Sequence, residues 1–354
     1  MEQGIIYIMM AFMVLGALDE ALSGGRFGYG EQFKKGICAI GPLVLSMAGI
    51  MCMAPVLGKG IQVLFSGVYT WLGIDTGMVG GMVLAVDMGA FPLARQITGD
   101  SRVILLSGIL TGSMTGCIIS FMIPVGLSFC PGNKRAAAAK GLAIGLAAAP
   151  AGIVTGGLVG GLPLAWMVQS LIPVLLFSFA LIMCLWRLPQ KTISFFMGFA
   201  RVLLGLGTLW LAMGILREMV GLVLLPQMSP LGEQLEAICK IGLTLAGAYP
   251  AVLFLQRHAK KVFAGAARLC QIQQDTMVGM AASLANPLLL FDQTSRLPEK
   301  DVVLAYAFAS VVSAALGDHL GYVSVMYAQG ILPMVIGKLA AGAVAVFLAG
   351  ELQK

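Results

Sequence analysis

Apolar residues run along the chain in blocks of about 20 positions, the length that carries an α-helix across roughly 30 Å of hydrocarbon. Such blocks lie near 4–22, 38–57, 101–128, 137–160, 164–186, 194–215, 235–255, 301–317 and 331–350, and each predicts a transmembrane helix. Two other apolar segments are interrupted. Residues 76–94 contain Met-Val-Gly-Gly-Met-Val-Leu-Ala-Val-Asp-Met-Gly-Ala-Phe-Pro, and residues 276–293 contain Met-Val-Gly-Met-Ala-Ala-Ser-Leu-Ala-Asn-Pro. Gly and Pro beside a polar residue at midlength predict a broken helix or re-entrant hairpin, tolerated at membrane depth where protein buries it or where it lines a cavity.

The two interrupted segments resemble each other. Shifting the first by 199 positions lays Met78-Val79-Gly80 on Met277-Val278-Gly279 and Asp87 on Asn286, and Val103 and Leu105 then fall on Val302 and Leu304. With a small gap, Ala54-Pro55 aligns with Tyr249-Pro250 upstream. An ordered series of matches over about 50 residues predicts a duplicated unit. The copies span roughly 4–160 and 194–350, with 164–186 as a connecting helix, and the whole of 1–354 forms a single membrane domain.

Charge sets the orientation. If the interrupted segments leave on the side they entered and the N-terminus lies outside, the cytoplasmic loops hold Arg26, Lys34 and Lys35; Lys134, Arg135 and Lys140; Arg187 and Lys191; and Arg257, Lys260, Lys261 and Arg268. The outer loops keep Lys59, Arg95 and Arg102, with Arg217 offset by Glu218 and Glu233. This bias follows the positive-inside rule, and it vanishes if the hairpins are made to cross. The expected fold is therefore an all-α polytopic membrane protein of two inverted repeats, with about nine full transmembrane helices plus two re-entrant or broken-helix hairpins. The C-terminus is placed in the cytoplasm. Amphipathic stretches at 58–73 and 259–270 occupy matching places and are expected to lie along the interface as arms.

Composition agrees: 59% of residues are hydrophobic, 11% are charged and the mean hydropathy is strongly positive. The net charge of +6 resides mostly in loops, so it implies orientation in a bilayer and no nucleic-acid partner. Met1-Glu2-Gln3 lacks the basic start of a cleaved signal, so the first block is read as a retained span. Seven scattered cysteines without a C-x-x-C pair, and only two histidines, predict neither a disulfide framework nor a metal site.

Polar residues inside the blocks are the candidates for solute binding, since each costs several kcal/mol unless paired or facing a cavity. Asp87 and its repeat mate Asn286 offer a carboxylate and an amide at equivalent positions, suited to a cation with one charged and one hydrogen-bonding end. A cap on the broken helix and a turn before Pro287 are their plainer readings. Asp318 and His319, between Gly317 and Gly321, are read at the end of the 301–317 span, as ligands or a proton relay or as an interfacial pair. Tyr249, in a span kinked at Pro250, and Gln169, inside the connecting helix, complete the candidate set. Asp19, Glu20, Arg201 and Lys338 are read as reaching an interface from near span ends.

Catalytic classes fit poorly. Two membrane aspartates could form an intramembrane aspartyl protease pair. However, Val86-Asp87 and Ala315-Leu316-Gly317-Asp318 miss that family's Tyr-Asp and Gly-x-Gly-Asp signatures. No phosphate-binding G-x-x-x-x-G-K-[ST] loop is present.

At Val86-Asp87-Met88-Gly89-Ala90-Phe91, Gly247-Ala248-Tyr249-Pro250, Ser283-Leu284-Ala285-Asn286, Leu316-Gly317-Asp318-His319-Leu320-Gly321 and Val335-Ile336-Gly337-Lys338, the chain resembles the ethanolamine utilisation membrane proteins, regarded as ethanolamine permeases. The resemblance implies a bacterial inner-membrane protein that admits ethanolamine without any cofactor. A membrane sensor or scaffold for ethanolamine metabolism is the other reading, and a homo-oligomer stays open in either case.

Overall fold

The computed structural model describes residues 2–259, 265, 267–268 and 270–353, and the described residues form helices and turns with no strand. Among the described residues seven helices are long and apolar enough to cross a membrane, and an eighth crossing results if one bent pair is counted as a single span. We number the helices α1 (Glu2–Ser23), α2 (Tyr29–Trp71), α3 (Met78–Val83), α4 (Phe91–Ile97), α5 (Ser101–Phe129), α6 (Arg135–Val159), α7 (Leu164–Ser170), α8 (Ile172–Arg187), α9 (Pro189–Val220), α10 (Leu231–His258), α11 (Gln274–Ser283), α12 (Leu288–Gln293), α13 (Glu299–Val312), α14 (Asp318–Met326) and α15 (Ile331–Glu351).

Helix α5 is the axis of the bundle. About 94% of its apolar window is buried, against 17% for α1. Its sequence explains this, because Ser107, Gly108, Thr111, Gly112, Ser113, Thr115 and Gly116 give it a surface of small side chains that lets other backbones approach closely. A Cβ at Gly116 would strike the Leu84 carbonyl oxygen, so the tip of the first interrupted segment rests directly on α5. Helices α6, α13 and α15 pack together on another side of α5, while α1, α2 and α10 form a separate group.

Both interrupted segments are hairpins. In the first, α3 and α4 run side by side, and the extended pair Leu84-Ala85 leads through the wide turn Val86–Ala90. Its ends are tied where Thr98 Oγ1 donates to Asp75 Oδ2 at 2.7 Å. In the second, α11 and α12 flank residues 284–287, and Asp301 Oδ2 accepts from Gln273 N at 2.9 Å and Thr276 Oγ1 at 2.6 Å at its base. The bases lie at opposite ends of the bundle. That of the first hairpin adjoins Arg102, whose guanidinium sits 5.0 Å over the Trp166 ring. The second adjoins Lys134, whose Nζ donates to the carbonyls of Thr294, Ser295 and Leu297. Lys140 and Lys300 share this second end, where they bond the backbone or side chain of the C-terminal residues Leu352 and Gln353.

Three expectations need correction. The segment 301–317 is not a complete span ending at Asp318: the helix breaks over residues 313–317 and resumes as α14, so Asp318 begins a half-helix. The break follows from Ala314 at φ 58° and from Gly317, where a Cβ would strike the Ala285 carbonyl oxygen. The connecting segment 164–186 is two helices bent by 49° around Leu171, next to Pro173, which has no backbone N–H to continue the first of them. Residues 58–73 are the mostly exposed end of α2, which runs through Pro55 to Trp71 without a helical break. The matching stretch 259–270 falls largely outside the described residues. Lys338 does not reach an interface: it is 0% exposed.

Replacing Gly317 with Ala is expected to cost about 1–3 kcal/mol, because the backbone of Ala285 cannot yield as a flexible side chain would. Thermal melts of the purified protein in detergent should show a lower midpoint for Gly317→Ala. Gly350→Ala, whose added Cβ meets nothing within 4 Å, should match the wild type. Equal midpoints for all three proteins would remove the close approach as a constraint.

Candidate functional site

Three chain breaks meet in the middle of the bundle. They enclose a cavity of about 40 Å³ lined by residues that include Asp87, Cys117, Phe121, Asn286, Asp318 and His319. One water needs about 10–15 Å³ on this measure, so the space suits a solute of a few heavy atoms. A wider cavity of about 440 Å³ lies beside it, bordered by Gln32, Lys35, Tyr249, Gln256, Asn286 and Leu289. Asn286 borders both. The exposed Lys35 places the mouth of the wider cavity at the surface near the α1–α2 loop.

Each break supplies a polar side chain at the start of a half-helix. Asp87 occupies the first turn of the wound segment that becomes α4. Asp318 opens α14, and Tyr249 Oη on α10 donates to its Oδ1 at 2.9 Å. Asn286 precedes α12, with its Oδ1 accepting from Leu288 N at 2.9 Å, so the turn-forming role expected of it is present while the residue also lines the cavity. Unpaired N–H groups at helix starts favour negative charge. Here that preference is met from within, by two carboxylates and an amide oxygen.

Asp87 Oδ1 is buried and has no hydrogen-bond partner among the described residues. His319 Nε2 stands 3.6 Å away, beyond hydrogen-bonding range. The other face of the same ring meets Lys338, with Nδ1 3.1 Å from Nζ, and Nζ also donates to the Ser113 carbonyl at 2.5 Å. Asp87, His319 and Lys338 thus form a row reaching from the cavity into the α5–α15 contact.

The structure gathers five of the six sequence candidates. Asp87, Asn286, Asp318 and His319 line the cavity, and Tyr249 bonds Asp318 from the adjoining one. Gln169 is not among them. It is exposed at the α7–α8 bend, where its amide nitrogen lies 3.5 Å from the Gly73 carbonyl. Lys338, Cys117, Phe121 and Ser313 were missed. Only the lysine carried a signal, a basic residue well inside an apolar block; the others are ordinary apolar or small residues whose direction depends on packing.

Among the described residues no cluster of three His, Cys, Asp or Glu side chains is arranged to hold a metal ion. Comparison with known proteins matches residues 1–352 to the family described as "Ethanolamine utilisation protein, EutH". A Listeria monocytogenes protein named probable ethanolamine permease EutH is 34% identical over 354 residues, covering 99% of this chain and 95% of its own. Proteins of the same name from Salmonella typhimurium and Escherichia coli are each 35% identical over 382 residues, covering 98% of this chain and 94% of theirs. No solved structure matches the chain.

Tyr249→Phe strips Asp318 Oδ1 of its hydroxyl donor and is expected to destabilise the protein by about 1–3 kcal/mol. Gln169→Ala, at an exposed position, should stay within about 0.5 kcal/mol of the wild type. Parallel unfolding curves in detergent measure both. A phenylalanine variant as stable as the wild type would show that the Tyr249–Asp318 bond carries no weight.

Proposed function

The chain belongs to the EutH family of ethanolamine utilisation proteins, and on that premise we propose that it carries protonated ethanolamine across the membrane, with Asp87 as counter-charge to the ammonium and Asn286 holding the hydroxyl. The observation that carries the reading is Asp87 Oδ1, a buried carboxylate oxygen with no hydrogen-bond partner among the described residues, at the edge of a cavity of suitable size. An ammonium donates three hydrogen bonds and cancels the charge, which a neutral solute cannot do. Phe121, on the cavity wall, adds an aromatic face of the kind that attracts cations. A carboxylic acid as the solute fits poorly, because the helix starts that would attract it already have carboxylates of their own.

A carrier is favoured over an open channel by the difference between the two sides of the site. On one side the wider cavity runs to the surface beside Lys35. On the other, Phe91, Tyr322 and Tyr327 pack ring against ring, with centroids 6.1 and 5.9 Å from Phe91, and Phe91 and Tyr322 are fully buried. Lys35 stands near the start of α2, beside the first of the basic connections that the positive-inside rule assigns to the cytoplasm, so this arrangement reads as inward-facing. The opposed bases of the two hairpins support reading the halves as inverted copies whose rocking exposes the site alternately.

Uptake of labelled ethanolamine into proteoliposomes containing only this protein tests the assignment. The wild type should show saturable uptake and counterflow, and Asp87→Asn should lose at least about tenfold in apparent affinity, the effect of about 1.4 kcal/mol. Unchanged affinity and rate in Asp87→Asn would falsify the counter-charge role. Binding without flux in the wild type would point instead to a sensor.

A further inference from the structure

Lys338 is the largest charged side chain in the core. It is fully buried at midlength in α15, and the transport reading above gives it no part. Its surroundings define its state. Nζ donates to the Ser113 carbonyl and lies 3.1 Å from His319 Nδ1. A lysine ammonium has only donors, so Nδ1 must accept, which leaves the imidazole proton on Nε2, the nitrogen that faces Asp87 Oδ1. His319 is then a neutral bridge, held between a cation on one side and a carboxylate on the other.

The ionisable groups around the cavity are Asp87, Asp318, His319, Cys117 and Tyr249, with Tyr322 packed on Phe91 just beyond and Lys338 behind His319. Tyr249 donates to Asp318 Oδ1. Two carboxylates without Lys338 would call for two positive charges, and a surplus charge at this depth is costly. With Lys338 in place the surplus is one.

We propose that Lys338 is a specificity-determining residue, an internal ammonium bonded to Ser113 and His319 that cancels one of the two carboxylates and so sets the site to accept a singly charged amine and reject a doubly charged one. The inference rests on the transport reading above, in which Asp87 receives the substrate's ammonium. It concerns a residue that lines neither cavity and acts on the solute through charge, with His319 as the bridge. A lysine that only fastened α15 to α5 would alter stability without altering which amines compete.

The test is competition in proteoliposomes. Labelled ethanolamine uptake is measured against unlabelled ethanolamine and against diaminopropane, which is a dication at neutral pH and only slightly longer. Wild-type protein should be inhibited at least about tenfold less well by the diamine. Lys338→Met and Lys338→Gln should shift the ratio of the two inhibition constants by about tenfold or more toward the diamine, while Lys338→Arg stays within about threefold of wild type. An unchanged ratio in a neutral variant that still elutes as a single folded species overturns the proposal. A wild type inhibited equally by both amines overturns it too, and that arm decides the matter even where the neutral variants fail to accumulate. Absence of any wild-type flux defeats the transport reading together with this inference, whereas flux with an unmoved ratio defeats the role of Lys338 alone.

Discussion

A helix interrupted at membrane depth leaves N–H and C=O groups without partners, and lipid offers none in return. This chain interrupts three helices near its middle, at residues 84–85, 284–287 and 313–317, and several of the groups so exposed are satisfied by other segments. Ala85 N–H donates to Ser120 Oγ of α5 at 3.0 Å. Ala314 N–H and Leu316 N–H donate to the carbonyls of Ser283 and Leu284, at 2.9 and 2.8 Å. The third break thus supplies donors to the tip of the second hairpin, and α5 supplies an acceptor to the tip of the first. No break is self-sufficient. The requirement for backbone partners draws all three to one place and, with them, the side chains at their edges.

The electrostatics follow from the same geometry. A break creates a new helix start, and a helix start carries partial positive charge. Asp87, Asn286 and Asp318 lie at three such starts, so the protein places its own carboxylates there, and in the transport reading proposed above the solute is the cation. Lys338 stands behind His319, with Nζ 3.1 Å from its Nδ1. A serine backbone carbonyl is its other anchor, available at close range because α5 presents small side chains there.

The same small residues explain why α5 is almost wholly buried while α1 and α9, each just as apolar, are 17% and 22% buried over their windows. In a bilayer, apolar content does not sort helices into inner and outer positions, since lipid is as apolar as the core; small surfaces and polar groups needing partners do. The outer helices keep large side chains such as Phe195 and Leu209 on their exposed faces. The inner ones trade size for close backbone contact.

Some of this was legible in the sequence. The apolar blocks marked the crossings because each helix must bury its own backbone over a fixed thickness, and that is a local property of about 20 residues. The two hairpins were legible from Gly, Pro and one polar residue at midlength, and they lie at 78–97 and 274–293, near the expected 76–94 and 276–293. The pairing of Asp87 with Asn286 came from internal similarity alone. What the sequence could not reveal depends on partners distant along the chain. The break before Asp318 looks like a helix end because the carbonyls that stabilise it belong to residues about 30 positions earlier. Gln169 and Lys338 are each single polar residues in apolar surroundings, and only the packing turns one outward to Gly73 and the other inward to His319. Segment length and hydropathy were thus determined by the sequence itself, whereas the direction in which a polar group finds its partner was decided by the tertiary structure, because that partner exists only once the helices have packed.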